Sequence, residues 1–516
     1  MSTATAHAGA LGKLKPTSVV GYGLGDFGCN LSFSLATSWL LFYYTDVAGF
    51  SAAAMGTMFF VVRLWDAVAD VLAGRAVDSV MTRWGKFRPF IMFGAVPLLL
   101  INVLTFYVPA SFQRQNPADA PLTWGPGVMW AYATYAILGL AYSLVNIPYG
   151  SMASAMTQSV TERAKLVAAR AFGSAVGGVF LTFVIAPPIS ALQKKSQGAY
   201  KAFTDAKKAN DTAKMAELQG QIQDIQHQLQ NIFTQTTLLF VVLGTIAFML
   251  VAYWCREAVV RTSPKTSIKE TLDTLKANGP LGILCASSFF YLIGLFAVGP
   301  ISSYYARYIL GDMNWTLPMA LVNVGISLAI TPIIPAMITK LGKKNIYQYC
   351  GLLTMVGGLG LFFLPSNNAA GGAISTIAIA ALVLLAIKGV GASLINTVMF
   401  GLEADTVEYG EWKTGRRSEG ATYSIFSFTR KITQSIAGFI SGWLLTAGAY
   451  VANAPEQSPT AITAMKAGIG LIPAIAAALA MLVFTVYPLN DAKFRQVRDE
   501  TEARKAAALA AGKPVD

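Results

Sequence analysis

Asp66 and Asp70 fall in the run RLWDAVAD, Arg63 to Asp70, inside an apolar stretch that begins near Ala52 and is long enough to cross a bilayer. A charge placed there is expensive unless it is paired or has a task. Four residues apart, the two carboxylates share one face of a helix, with Arg63 a turn earlier on that side. Stacked carboxylates in a membrane suit a cation: Na+ takes oxygen ligands, and H+ takes a carboxyl whose proton affinity is raised by desolvation or a like-charged neighbour. The same run also reads as a structural ion pair, Arg63 with Asp66, holding helices together.

Other polar side chains sit where water does not reach. The first apolar stretch holds Asp26 and Asn30; the fourth ends in YSLVNIPYG, with Tyr142, Ser143, Asn146 and Tyr149, where Pro148 is expected to break the helix and free backbone oxygens. Arg170 enters the fifth stretch, and Lys388 and Asn396 lie in the tenth. Arg430 and Lys431 are adjacent in FSFTRK of the eleventh, which begins at Phe426. A carboxylated ligand explains two buried cations, since Arg grips a carboxylate through two parallel hydrogen bonds and Lys adds a point charge. Pairing with Asp66 and Asp70 is the competing explanation. Between Glu403 and Gly420, EADTVEYGEWKTGRRSEG alternates in sign. It is expected to be a cytoplasmic loop, either simply solvated or carrying ion pairs that break and re-form. A gating set of Arg63, Arg83, Lys86, Asp405, Glu408 and Glu411 follows.

The elements that position these residues are membrane spans. The chain has 516 residues, 54% hydrophobic and only 13% charged, with mean hydropathy +0.52. Repeated apolar stretches of about twenty residues exclude a soluble domain and an outer-membrane barrel. Spans are expected at about 20–46, 52–76, 88–109, 127–149, 167–192, 234–255, 280–309, 316–338, 346–365, 372–400, 421–448 and 463–487. The fold class is therefore an all-α membrane protein with twelve transmembrane helices. The net charge of +13 collects in the loops after even-numbered spans, including Arg75, Arg83, Lys86, Arg163, Lys165, Lys343, Lys344, Arg416 and Arg417. This places both termini in the cytoplasm and implies no basic face for nucleic acid. Residues 1–18 hold no removable signal peptide, and the four cysteines show neither disulfide nor zinc spacing.

RWGKFRP after the second span and LGKK after the eighth echo each other, which fits two six-helix bundles around a central site. The bundles are expected at 1–256 and 280–490, with a cytoplasmic linker at 257–279 and a cytoplasmic tail at 491–516. The polar stretch at about 193–233 is an exception to the charge rule. Leu218, Ile222, Ile225, Leu229 and Ile232 form one helical stripe there, predicting an external helical hairpin turning near Asn210-Asp211. Gly173 and Gly177 predict close helix packing. No phosphate-gripping loop or nucleophile elbow is present, so an enzyme and an ATP-driven pump both lose ground to a secondary transporter.

The strings GYGLGD, FYYTDVAGF, RLWDAVAD, RWGKFRPF, LVNIPYGS, EADTVEYGEWKTG and YSIFSFTRK resemble the glycoside-pentoside-hexuronide:cation symporters of the major facilitator superfamily. The likeness runs through nearly all twelve spans and is nearest to the glucuronide-carrying branch. By the pattern of melibiose-carrying members, it implies cation binding by Asp66, Asp70 and Ser143, with Asp66 and Asp70 as Na+ ligands if sodium is coupled. It places the sugar at Asn30, Asn146, Arg170 and Lys431. Two aspartates of that pattern are Asn30 and Asn146 here, its stacking aromatic is Gly150 with Tyr149 beside it, and another aromatic is Asn396. Tyr149, Asn396, Phe426 and Arg430 complete the implied substrate set. Fewer anions beside these cations favour a carboxylated substrate.

The resemblance implies a monomer of the bacterial cytoplasmic membrane, with no cofactor and with H+ or Na+ as coupling ion. A glycoside, by this reading a glucuronide or other hexuronide, is imported by alternating access. A pentoside, xyloside or lysolipid carrier is the alternative within transport, and a non-transporting substrate sensor is the alternative outside it.

Overall fold

The computed structural model describes residues 13–114, 119–157, 159–258, 276, 278–366, 376–415 and 419–510. Most of the expected linker, with Arg261, Lys265 and Lys269, lies outside the described residues, as do Arg416, Arg417 and the last six residues. Twelve helical spans carry the chain back and forth. They are α1 (Pro16–Phe42, extended by a π-turn Tyr43–Val47), α2 (Ala52–Ser79), α3 (Arg88–Thr105), α4 (Pro126–Met156), α5 (Val160–Lys208) and α6 (Thr212–Trp254) in the first half. The second half has α7 (Gly279–Tyr308), α8 (Thr316–Ile330 continued by Thr331–Ile333 and Ile334–Leu341), α9 (Lys343–Phe363), α10 (Thr376–Thr414) and α11 (Glu419–Ala447). Its last span, α12, is Pro459–Lys466, a π-turn Ala467–Leu471 and Ile472–Thr485. A further helix, α13 (Asp491–Ala510), packs on α10. Ten of these helices are long and apolar enough to cross a membrane by hydropathy alone. Alpha-1 with Asp26 and α11 with Arg430 and Lys431 complete the twelve.

Local chemistry sets the helix ends. Ser159 caps α5, its hydroxyl accepting the Glu162 N–H at 3.4 Å, while the Glu162 carboxylate accepts the Leu14 N–H at 3.1 Å and Lys165 at 2.7 Å. Asn278 caps α7 by accepting the Leu281 N–H at 3.2 Å, and its amide donates to Thr406 O at 2.6 Å. Glu257 satisfies the start of α3, accepting the N–H groups of Lys86, Phe87 and Arg88 at 2.8, 2.8 and 3.0 Å. The first residue of the expected linker is thus bound to the first half.

Two expectations are corrected in detail. Pro148 does not break α4, which runs on to Met156; its removal of one backbone donor is tolerated inside a packed helix. Glu403 to Thr414 is no loop but the last three turns of α10, whose charges are supported by neighbours. Over 193–233 the expected pair of helices turning near Asn210-Asp211 forms, each as a continuation of the neighbouring span: α5 continues to Lys208, the chain turns at Asn210 with φ 55°, and α6 starts at Thr212. The expected stripe does pack, with Leu218 and Ile222 against Tyr200, Phe203 and Ala206.

The two halves cross where α2 meets α11, α1 meets α7 and α5 meets α8. Small residues allow the crossings that set the site. A Cβ on Gly173 would overlap Gly23 O, so α5 lies backbone-to-backbone on α1 and carries Arg170 to Asp26. Gly442 is equally tight against Ala52 O and Gly56, which fixes α11 on α2.

Candidate functional site

A cavity of about 240 Å³ opens between α1, α2, α4 and α11, lined among others by Arg63, Asp66, Asp70, Ser143, Asn146 and Lys431. Alpha-2 presents both aspartates to it. Arg63 donates to Asp66 Oδ2 at 3.1 Å and sits between the rings of Phe33 and Tyr135, 5.6 and 5.7 Å from their centroids. Ser143 donates to Asp70 Oδ1 at 2.5 Å. Lys431 crosses from the second half to pair with Asp70 Oδ2, and it also donates to Asp66 O at 3.1 Å. Arg63 thus pairs with Asp66, but within α2 rather than between helices, and of the two adjacent cations Lys431 pairs with Asp70.

Three buried polar atoms facing this cavity have no hydrogen-bond partner among the described residues: Asp66 Oδ1, Asn146 Oδ1 and Arg430 Nη1. Buried polar atoms are seldom left so, and each orphan costs about 1–3 kcal/mol. Together they offer two oxygen acceptors and one cationic donor to whatever enters. Arg430 is held by the Phe400 ring, 5.2 Å away, which supports its guanidinium without using its donors. Asp66 Oδ1 lies against α4, where a Cβ on Gly139 would overlap it. Exposure rises along α2 toward the face that carries the start of α1 and the end of α12, from 10% for the Asp66 side chain to 35% for Asp70.

Arg170 and Asn30 stand beside the cavity. Arg170 donates to Asp26 Oδ1 at 2.9 Å, and Asn30 donates to Asp26 O at 2.9 Å and Oδ2 at 3.4 Å. Asp26, to which no site role was given, therefore neutralises Arg170. The expected surplus of positive charge narrows to Arg430, which itself interacts electrostatically with the buried Glu403 of α10. A Cβ on Gly150 would meet only Arg170 Nη1, at 3.6 Å, so there is room beside that guanidinium. Tyr149 is fully buried, stacked on Tyr22 and hydrogen-bonded to Tyr22 O at 2.5 Å, and it backs Arg170 rather than lining the cavity. Phe426 packs in the core of the second half, and Asn396 is not among the lining residues.

The gating set divides by place. Arg63 is part of the cavity wall. Arg83 lies over the Trp84 ring, and the Lys86 amide binds Glu257. Asp405 accepts Lys343 at 2.6 Å, Glu411 accepts Lys505 of α13 at 2.5 Å, and Glu408 Oε2 is buried with no hydrogen-bond partner among the described residues.

At the opposite face a second cluster joins the halves. Asp46, with no exposure, accepts from Arg307 at 3.2 Å, Tyr450 OH at 2.7 Å, Asn453 N at 3.3 Å and Thr45 at 2.8 Å. Nearby, Asp312 accepts Ser190 at 2.6 Å and Lys194 at 2.7 Å. Burial pushes the Asp312 carboxyl up, but the Asn314 N–H, Lys194 and Ser190 outweigh it and hold it below the usual carboxylate range. Asp46 stood in a motif, FYYTDVAGF, without a role, and a buried acid late in a span was the available signal.

Residues 21–491 match the profile described as MFS/sugar transport protein. The chain belongs to the major facilitator sugar-transport family. The transporter is 40% identical to a glucuronide carrier protein homolog of Escherichia coli, covering 95% of this chain and 96% of that one. It is 30% identical to an isoprimeverose transporter of Lactiplantibacillus pentosus, covering 93% and 90%. A solved peptide transporter aligns over 96% of this chain and 99% of its own with a TM-score of 0.60 at 14% identity, a likeness of fold. The transporter is thus a membrane symporter of the sugar and glycoside type, consistent with two bundles around a central cavity.

Proposed function

We propose that the transporter imports a hexuronide, most simply a glucuronide, together with H+ or Na+. The observation that carries the reading is the trio of orphaned atoms in residues lining one cavity, with Arg430 Nη1 as a cationic donor that has no hydrogen-bond partner among the described residues, available to a carboxylate, and Asn146 Oδ1 as an acceptor for a sugar hydroxyl. The similarity to the glucuronide carrier homolog supports it.

Coupling follows from competition for Asp70. Lys431 holds that carboxylate in the present state. A proton on Asp70, or a sodium ion between its oxygens and Asp66 Oδ1, removes the partner of Lys431. The freed ammonium then joins Arg430 on the substrate carboxylate. Cation and uronide consequently strengthen one another's binding, and that strengthening must be reciprocal. The Asp46 cluster closes one face while Asp70 is exposed toward the other, which with cytoplasmic termini makes this the inward-open state.

Uptake of a labelled aryl glucuronide into proteoliposomes, under a pH gradient with and without Na+, tests the reading. Accumulation should follow one gradient and be lost in Arg430→Ala. Accumulation of a neutral pentoside with none of the glucuronide would overturn the substrate and leave the family standing.

A further inference from the structure

A second cavity, of about 310 Å³, lies mainly in the second half of the molecule, walled by α7, α8, α9, α10 and α12 together with α1 and α5 of the first half. It uses Ser38 and Trp39 of α1, whereas the first cavity uses Ser32, Phe33 and Ala36, so it is displaced along α1 toward the closed face by about one helical turn. Its volume is at the lower end of the range for small-molecule sites, about 300–1,000 Å³.

Lys388 is the one charged residue among those lining it, and no Asp or Glu is among them. Its side chain is carried inward because α9 has Gly357 where a Cβ would overlap the Lys388 backbone and Cβ. The residue is only 8% exposed. Its ammonium donates to Ile469 O at 2.8 Å, a carbonyl of the π-turn in α12. A buried ammonium has three donors and ordinarily a carboxylate; here one carbonyl answers.

The neighbouring hydroxyls are arranged to accept. Tyr291 OH donates to Ala392 O at 3.0 Å, Ser302 to Val298 O at 2.7 Å, Thr316 to Met313 O at 2.8 Å and Thr354 to Cys350 O at 3.0 Å. With those hydrogens committed to the backbone, the oxygens keep lone pairs for an incoming donor. Ser303 Oγ, in a residue 2% exposed, has no partner among the described residues. The cavity therefore offers one cation, one uncommitted hydroxyl and several acceptors.

We propose that this cavity is a second binding site, for a polyhydroxylated monoanion of monosaccharide size. Lys388 and Ser303 hold its carboxylate or sulfonate, and its hydroxyls donate to Tyr291, Ser302 and Thr354. In naming a sugar anion the proposal rests on the uronide reading above. The same chemistry belongs to a free sugar acid and to the charged sugar of a conjugate resting on its route.

Equilibrium dialysis of the full chain in nanodiscs with labelled glucuronate tests it. Two equivalents should bind per chain; Lys388→Met should keep one and Arg430→Ala should keep the other. One equivalent lost only in Arg430→Ala overturns the second site and leaves the uronide reading intact. One equivalent lost only in Lys388→Met supports the second site and sinks the uronide reading. No binding, or two equivalents that survive Lys388→Met, overturns the proposal. Should Lys388→Met fail to fold, Ser303→Ala must weaken one of two equivalents about tenfold, as loss of a hydrogen bond to a charged group predicts; equal affinities would refute the site. Repeating the dialysis with a labelled aryl glucuronide separates the sources: two equivalents mark a station for the conjugate, and one marks a site for the free acid.

Discussion

Asp46 and Asp70 both meet a cation from the other half of the molecule, and they do so in opposite ways. Asp46 has no exposure, both its carboxylate oxygens are engaged, and four different residues supply the bonds. Asp70 is 35% exposed, shares its oxygens between Ser143 and Lys431, and neighbours an Asp66 oxygen with no partner. A carboxylate satisfied on every side resists change, because each partner lost leaves a desolvated charge. One held by few, partly wet partners can exchange them. The first is a latch that closes a face, and the second is where the proposed coupling ion would enter.

The largest effect should come from breaking the latch. Arg307→Ala leaves Asp46 buried with neutral donors only and should cost about 3 kcal/mol, read as a lower unfolding midpoint in detergent. A midpoint unchanged from wild type would show that Tyr450 and Asn453 suffice, and the contrast would fail. Next, Asp70→Asn should leave folding near wild type while concentrative uptake falls at least about tenfold, since the cation that displaces Lys431 loses its anchor. Undiminished accumulation would remove Asp70 from coupling. A smaller change should follow Gly139→Ala, whose methyl must push Asp66 Oδ1 aside: the cation concentration for half-maximal uptake should rise about tenfold for a displaced charged contact, with maximal rate less affected.

The smallest effect concerns Asp312, beside the latch. Its carboxyl is held below the usual range, so the unfolded chain binds its proton more readily than the folded one. The contribution is complete above the ordinary aspartate value of about 3.9 and is lost as pH falls through the lowered one. Thermal midpoints of wild type and Asp312→Asn should therefore differ at pH 6 and converge below about pH 4. A gap that widens on acidification would reverse the sign and refute the pairing with Lys194 as its source.

What could be read along the chain was local. Apolar length marked the spans, the i, i+4 spacing of Asp66 and Asp70 put them on one face, and the stripe from Leu218 to Ile232 foretold a packed helix. Adjacent signs in Glu403–Thr414 resembled a solvated loop because composition alone cannot see that Lys343 and Lys505 come to meet Asp405 and Glu411. Likewise Asn396 and Phe426 carry suitable chemistry, but helix rotation turns them away from the first cavity.

The sequence by itself determined the membrane class, the twelve spans, the family and the roster of buried charges, because hydropathy and residue type act over a few turns of helix. Only the tertiary structure decided which charge meets which. Asp46 with Arg307, Asp70 with Lys431 and Asp26 with Arg170 are separated by 261, 361 and 144 positions in the chain. Their meeting depends on glycine-to-backbone crossings such as Gly173 on Gly23 and Gly442 on Gly56. An ion pair forms within about 4 Å, and that distance is set by how helices pack, which no spacing within one helix encodes.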